Sequence, residues 1–399
     1  TLSRWLTKRN PIEESAMLEQ LKPALLKPVP QIPAAALDHP IAFIVALDEF
    51  WGMTAADLPL TPEALPEFRT DDNWKYWLVR RRNGGQTPAD LQDPNLERWF
   101  RHFRVIPDRV IIGGAEIRVA IRHLAYLKKS PKLNANAVRI RVSHFCDNVT
   151  PNIAEDSLHT CFGITGLSDE ELRKTSLGNE YAAVRTDCAD IWIAPELSVS
   201  PSLRFQVASW LLHEGADDLL LCVPGTFHEV DNGEPVNRAV ILDGDGIEVA
   251  RQHKLSQFSY KQKLTNVVLR ESIVAKREIV LLATPIGLVG VAICKDYCDA
   301  TSSSLIQTAW DRLAPDWLLV PSMGDEATLK AHERRASDHW KLRRTRSAIS
   351  NQQGAVNSDQ PGFVYCDGHV SQVAIGGSTY ANDATPTRGP ARPRLRRIK

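Results

Sequence analysis

The stretch DIWIAPELSVSPSLRFQVASWLLHEGADDLLLCVPG, residues 190–225, contains two short apolar runs on either side of a longer segment with helical spacing. DIWIAP (190–195) and DLLLCVPG (218–225) are each typical of a buried strand, because they are brief, apolar and bounded by turn residues. Residues 201–214 between them are expected to form a helix. A strand, a helix and a second strand in succession predict a layered α/β domain.

The same texture continues on both sides of this stretch. AVRIRV (137–142) and DWLLVPS (316–322) are further strand candidates. Three predicted hairpins interrupt the alternation, with turns at Asp243–Gly246, Pro285–Gly287 and Asp367–Gly368. The first and last of these contain Asp-Gly pairs, which accept the positive φ of tight turns. Hairpins mixed with crossover helices argue against a plain Rossmann sheet, and no glycine-rich phosphate fingerprint is present.

The ends of the chain differ from this central pattern. Residues 1–132 contain proline-rich connectors, helical-looking stretches and aromatic–basic clusters, and are predicted to be a mostly helical region of unknown role. Residues 133–384 are predicted to form the α/β domain. Residues 385–399 hold six basic residues, three prolines and no acidic residue, which predicts a disordered basic tail.

Composition excludes several classes of protein. Forty-eight basic residues balance 48 acidic ones, so no overall field favours nucleic acid or an anionic membrane. No apolar run approaches the roughly 18–20 residues that cross a bilayer. The seven cysteines are odd in number and irregularly spaced, which argues against a disulfide framework and a zinc site. Together with the lack of a secretory signal at the start, these features predict a cytoplasmic protein.

Three reactive side chains each follow a predicted strand: Glu196, Lys254 and Cys294. Ligands of layered α/β folds bind in the crevice where such strand ends converge. A thiol needs a base or a stabilised thiolate to act as a nucleophile. Glu196 could take the proton from Cys294, and Lys254 together with the backbone N–H of Lys295 could stabilise an oxyanion.

Three segments carry a resemblance to a known family. IAPELS (193–198), RQHKLS (251–256) and GVAICKD (290–296) stand in the order and at the spacing found in the nitrilase superfamily of carbon–nitrogen hydrolases. The chain resembles that family over about residues 137–383. The resemblance implies a four-layer α-β-β-α sandwich, and a Cys294 nucleophile with Glu196 and Lys254 as its partners.

The resemblance also implies the chemistry and the assembly. It implies hydrolysis or acyl transfer at a non-peptide C–N bond of a small amide, nitrile or carbamoyl compound, through a thioester-type intermediate, with no metal or organic cofactor. A second glutamate is expected between the Lys and Cys motifs. Glu271 is preferred to Glu278, because Glu278 runs directly into an apolar strand. Homo-oligomers are expected through the helices that flank the nucleophile.

Of the two residues after the predicted nucleophile, one departs from the family motif and the other matches it. Position 295 is Lys, where many family members carry an aromatic residue, so a cationic pocket wall suited to an acidic substrate is one hypothesis. Asp296 completes the motif and is expected to line the pocket.

Two other functions are open. The chain could be a nitrilase-like module that assembles or regulates a larger machine, such as a reverse-transcriptase-linked antiviral defence protein, with nucleic-acid contacts through its basic segments. It could instead supply ammonia to a fused synthetase, although the sequence contains no nucleotide-binding motif.

Overall fold

A computed structural model describes 12 stretches of the chain and so defines its secondary structure. The described residues are 67–69, 75–80, 103–112, 114–124, 127, 137–145, 149–155, 160–261, 267–298, 305–352, 362–373 and 378–382. The helices are α1 (Glu170–Thr186), α2 (Pro201–Glu214), α3 (Lys295–Cys298), α4 (Leu305–Leu313) and α5 (Glu326–Arg343). The predicted basic tail, 385–399, lies outside the described residues.

The strands are given in chain order. They are β1 (Glu67–Arg69), β2 (Lys75–Arg80), β3 (Phe103–Pro107), β4 (Arg109–Ile112), β5 (Ala115–His123), β6 (Ala137–Val142), β7 (Val149–Glu155), β8 (Thr160–Leu167), β9 (Ile191–Ile193), β10 (Leu221–Val223), β11 (Thr226–Asp231), β12 (Glu234–Leu242), β13 (Glu248–His253), β14 (Ser259–Lys261), β15 (Val268–Glu271), β16 (Glu278–Thr284), β17 (Gly287–Val291), β18 (Trp317–Ser322), β19 (Arg346–Asn351), β20 (Gly362–Cys366), β21 (His369–Val373) and β22 (Ser378–Asn382).

Two large mixed sheets contain most of these strands, which confirms the predicted α/β class. The seven-stranded sheet has the order β11-β12-β10-β9-β6-β22, with β13 paired to β12. The eight-stranded sheet has the order β21-β20-β19-β18-β17-β16-β5-β4. All three predicted hairpins are present as antiparallel pairs, β12–β13, β16–β17 and β20–β21. A four-stranded sheet, β14-β15-β8-β7, and a three-stranded sheet, β1-β2-β3, complete the strand pairing.

The two large sheets share one hydrophobic core. Side chains of both sheets meet in it, among them Ile191 and Ile193 from β9 and Trp317 and Leu319 from β18. Because successive side chains of a strand point to opposite faces, Trp192, between the two β9 residues, lies in a different cluster. One face of each strand therefore packs against the other large sheet.

Helices pack against the opposite faces of both sheets. Trp192 of β9 clusters with Leu177 of α1 and Val207 of α2. Leu318 of β18 clusters with Trp310 of α4 and Ala336 of α5. Burial of this apolar surface, at about 25 cal/mol per Å², is the main driving force that holds the helices in place.

Local signals set the start and end of α2, the helix predicted between β9 and β10. Ser200 caps its first turn by accepting a hydrogen bond from Leu203 N, and Pro201 occupies a first-turn position that needs no N–H partner. Gly215, with φ of 71°, ends the helix. The βαβ unit predicted from residues 190–225 is therefore present, with β9 and β10 parallel neighbours.

The described residues before position 124 form β1 to β5 and no helix, so they do not confirm the mostly helical prediction for residues 1–132. Val110, Ile117 and Val119 are buried β-branched residues of β4 and β5, and such residues favour strands. This hairpin joins the eight-stranded sheet through β5 and β16, although it precedes the predicted domain boundary at residue 133. None of the described helices is long and apolar enough to span a membrane.

Candidate active site

The backbone around Glu196 is held between the two large sheets. Glu196 N donates to Ser322 O (3.3 Å), and Gln352 Nε2 donates to Glu196 O (2.7 Å), so both polar backbone groups of Glu196 bond to the eight-stranded sheet and the residue after it. A β-carbon at Gly225, whose φ is 71°, would clash with the Pro195 carbonyl. The turn after β9 therefore depends on close backbone packing, and this fixes the direction of the Glu196 side chain.

Lys254, which follows β13, brings two carboxylates together. Its Nζ atom lies 2.8 Å from Glu196 Oε1 and 2.7 Å from Glu271 Oε2, and its side chain is 2% exposed. Burial alone would lower the pKa of Lys254, but the two carboxylates raise that pKa well above its ordinary value. Lys254 is therefore an ammonium ion with one N–H left for a further acceptor, because an ammonium has three N–H groups.

Glu271 is saturated with hydrogen bonds. Besides Lys254, its donors are His228 Nε2 (2.9 Å), Asn237 Nδ2 (3.0 Å) and Phe258 N (2.9 Å). Burial favours the neutral acid, but Lys254 and His228 lower the pKa of Glu271 to about 2. Glu271 is therefore a permanent anion whose two oxygens are already occupied.

Glu196 differs from Glu271 in the hydrogen bonding of one carboxylate oxygen. Its Oε1 accepts from Lys254 Nζ and from Asn237 Nδ2 (2.9 Å). Its Oε2 receives no hydrogen bond from any residue that the structure describes. One oxygen is thus fixed by two donors, while the other is open to accept a proton.

Cys294 occupies the turn between β17 and α3. Its φ is 45°, in the left-handed region that non-glycine residues seldom adopt, and its N–H donates to Pro321 O (2.8 Å). Ser322 Oγ lies 3.5 Å from Sγ. Strained strand-to-helix turns of this kind present nucleophiles in other folds.

The surroundings of Cys294 shift the pKa of its thiol in both directions. Burial, at 5% exposure, is the largest effect and raises the pKa of its thiol well above the ordinary value. Glu196 raises that pKa further, while Lys254 and the Ser322 hydrogen bond lower it. Glu196 and Lys254 are therefore close enough to act on the sulfur electrostatically, and the resting thiol keeps its proton until a base removes it.

The two residues after Cys294 tie α3 to the loop that follows Lys254. Asp296 accepts hydrogen bonds from Leu255 N (2.8 Å) and Ser256 Oγ (2.6 Å), and Lys295 Nζ donates to Gln257 O (3.3 Å). Burial raises the pKa of Asp296 from 3.8 to about 7, against these two hydrogen bonds. Asp296 thus joins two segments of the site.

The structure distinguishes the two candidates for the second glutamate of the site. Glu271 contacts Lys254, as described above, whereas Glu278 lies 3.6 Å from Arg118 in an exposed ion pair between β16 and β5. Four further polar side chains of the site were absent from the predicted residues: His228, Asn237, Ser322 and His332. Ser322 ends the strand candidate DWLLVPS (316–322), but nothing in the spacing marked His332.

Comparisons with known proteins found no matching family model and no matching curated protein. Solved structures do match. One is an amidase from Nesterenkonia sp., 14% identical, with a TM-score of 0.44, covering 64% of this chain and 94% of that chain.

Two variants of an amidase from Nesterenkonia sp. AN1 match similarly. A cysteine-to-alanine mutant, described as belonging to the nitrilase superfamily, is 14% identical over 63% of this chain and 93% of its own, with a TM-score of 0.43. A glutamate-to-leucine mutant, with the acetamide moiety of fluoroacetamide covalently added at the active-site cysteine, has the same identity and coverage and a TM-score of 0.45. All three of these solved structures are described as amidases, and each is 14% identical over 63–64% of this chain.

Proposed function

We propose that the chain hydrolyses, or transfers the acyl group from, a non-peptide carbon–nitrogen bond in a small amide, nitrile or carbamoyl compound. The observation that carries the proposal is the position of Cys294 in a strained turn beside a buried Glu196–Lys254–Glu271 cluster. The core shared by the two sheets, with helices on both outer faces, supports the four-layer α-β-β-α sandwich that this family implies.

The reaction with an amide begins at Cys294. Its sulfur forms a bond to the carbonyl carbon as the thiol proton passes to Glu196 Oε2, the oxygen with no hydrogen-bond donor. The carbonyl oxygen takes the electron pair of its π bond and becomes an oxyanion. The third N–H of Lys254 and the backbone N–H of Lys295 stabilise that charge, and one such donor is typically worth about 10²–10³ in rate.

In the second half of the reaction, Glu196 donates the proton that it accepted in the first. The C–N bond breaks as the oxyanion collapses, and Glu196 returns the proton to the leaving nitrogen, which departs as ammonia or an amine. Glu196 then removes a proton from water, whose oxygen attacks the thioester carbon. The acid product leaves and the sulfur recovers its proton. Glu271 stays ionised throughout and holds Lys254 in place.

Release of ammonia or amine from a panel of amides, nitriles and carbamoyl compounds tests the proposal. We expect Cys294→Ala to lower turnover by a factor on the order of 10⁶, since removal of a nucleophile in a comparable protease has that effect. Cys222→Ala is the matched control, because Cys222 is a buried thiol of β10 that belongs to a different hydrophobic cluster from Cys294. Equal activity of the two variants would refute the proposal.

A further inference from the structure

Cys294 has a second set of neighbours, which consists of uncharged side chains. Ser322 ends β18 with its Oγ atom 3.5 Å from Cys294 Sγ, and His332 of α5 places Nε2 3.0 Å from that same Oγ. Both side chains are fully buried. We propose that Ser322 and His332 are positioning residues that stabilise the thiolate form of Cys294, an inference that rests on the proposed function and deepens it.

The hydrogen bonds of His332 indicate which of its nitrogens carries the proton. Its Nδ1 atom is buried and has no hydrogen-bond partner among the described residues. A buried N–H without an acceptor is rarer in proteins than an acceptor that lacks a donor. Burial also lowers the pKa of His332 to about 3, so the ring is neutral near pH 7. The proton therefore lies on Nε2, and Nε2–H donates to Ser322 Oγ.

This tautomer of His332 determines which atom accepts a hydrogen bond from the Ser322 hydroxyl. A hydroxyl group has a single proton, and the Ser322 oxygen already accepts from His332. The distance of 3.5 Å to Cys294 Sγ then makes the sulfur the acceptor of the Ser322 O–H. Hydrogen bonds to an ionised acceptor are stronger than those to a neutral one, so this contact favours the thiolate over the thiol.

The other groups that face these three residues do not replace this contact. Glu196 disfavours the thiolate and Lys254 favours it by charge, and Cys298 Sγ lies 4.0 Å from His332 Nε2. The Tyr297 ring lies 5.6 Å from the His332 ring, but its hydroxyl bonds to Ser347 Oγ (2.7 Å). Among the described residues, Ser322 is therefore the side chain that donates a hydrogen bond to Sγ.

The test is the pH dependence of Cys294 alkylation by iodoacetamide in the full chain, followed by peptide mass spectrometry. The midpoint of this titration reports the pKa of Cys294, and it is a better readout than the rate because thiolate nucleophilicity itself rises with pKa. We expect Ser322→Ala to raise the midpoint by about one unit, as loss of one hydrogen bond to a charged acceptor does. His332→Leu, which removes the donor that orients the Ser322 hydroxyl, should raise it by a smaller amount. His332→Gln, whose side-chain amide can donate in place of Nε2–H, should restore the wild-type midpoint.

His339→Gln is the matched control, because His339 is a buried histidine of the same helix that faces Asp311 instead of Ser322. Its midpoint should equal that of the wild type. An unshifted Ser322→Ala would overturn the inference, as would a His332→Gln midpoint displaced as far as that of His332→Leu. If His332→Leu does not fold, Ser322→Ala decides the question alone.

The result separates this inference from the proposed function. A shifted midpoint in Ser322→Ala, combined with full turnover in Cys294→Ala, would leave the thiolate contact standing and refute the hydrolase. An unshifted midpoint, combined with lost turnover in Cys294→Ala, would do the reverse.

Discussion

Cys294 lies between a charged region and a neutral one, and the two regions hold their side chains in place by different means. Glu196, Lys254 and Glu271 form a buried chain of ion pairs in which each charge has an opposite partner. Ser322 and His332 form a buried chain of uncharged donors and acceptors. Buried charges are costly unless paired, so the charged region is expected to be far less tolerant of substitution.

Within the charged region, the two glutamates differ in what they leave open. Glu271 has four donors on two oxygens, and Glu196 has two donors on one. A group with both oxygens occupied can position a neighbour but has no site for a proton in transit. This contrast assigns proton transfer to Glu196 and positioning to Glu271, and substitutions can break or sharpen it.

Within the charged region, the largest effect on activity is expected from Glu196→Gln. The Gln carbonyl can keep the two hydrogen bonds to Lys254 and Asn237, while its amide nitrogen replaces the oxygen that accepts the proton. We expect the variant to remain folded, because Glu271 still pairs with Lys254, and turnover to fall by about 10³–10⁴, near the upper range for loss of a general base. Thermal unfolding and amine release measure the two quantities. Substantial turnover in a folded variant would end the assignment of Glu196 as the base.

Glu271→Gln is expected to act mainly on stability. A Gln side chain would present its N–H groups to two of the four existing donors, whichever oxygen the amide nitrogen replaces, and breaking a buried ion pair costs about 3–5 kcal/mol. Urea unfolding near neutral pH measures the loss. Glu278→Gln is the control, since its exposed pair with Arg118 is expected to contribute at most about 1 kcal/mol. Similar unfolding free energies for the two variants would remove the contrast between them.

A smaller, pH-dependent effect is expected from Asp296→Asn. Because folding raises the pKa of Asp296 from 3.8 to about 7, its contribution to stability is complete below about pH 4 and is lost as the pH rises through 7. The wild type should therefore lose up to about 4 kcal/mol relative to Asp296→Asn between pH 4 and 7. Folding lowers the pKa of Glu271, whose contribution has the opposite sign. Urea unfolding of both proteins at several pH values measures the difference, and a constant difference would contradict it.

The sequence was sufficient where local rules decide the structure. Asp367 and Gly368, with φ of 53° and 82°, form a turn that the Asp-Gly pair signals directly, and Ser200-Pro201 starts a helix for equally local reasons. The meeting of Glu196 with Lys254, 58 positions later, followed from their places after strands and from the family pattern. Strand ends and turns are therefore the features that reasoning from residues recovers.

Other parts of the molecule depend on contacts that no local pattern reveals. The strand β5 belongs to the eight-stranded sheet because it pairs with β16, more than 150 positions away. His332 reaches Ser322 because α5 packs on the sheet, and nothing in the spacing of a single helical histidine indicates that contact. The predicted homo-oligomer, the cytoplasmic location and the contact of the basic segments with nucleic acid stay predictions. No observation in the described residues favours the assembly module or the ammonia supplier over the hydrolase.

The most direct test of the central claim is peptide mass spectrometry of the protein quenched in acid during turnover of an active amide. The account predicts a mass increase equal to the acyl group on the peptide that contains Cys294, and no such adduct in Cys294→Ala. An acyl group on a different residue would contradict it. So would turnover that leaves no adduct on Cys294 and that continues at the same rate in Cys294→Ala.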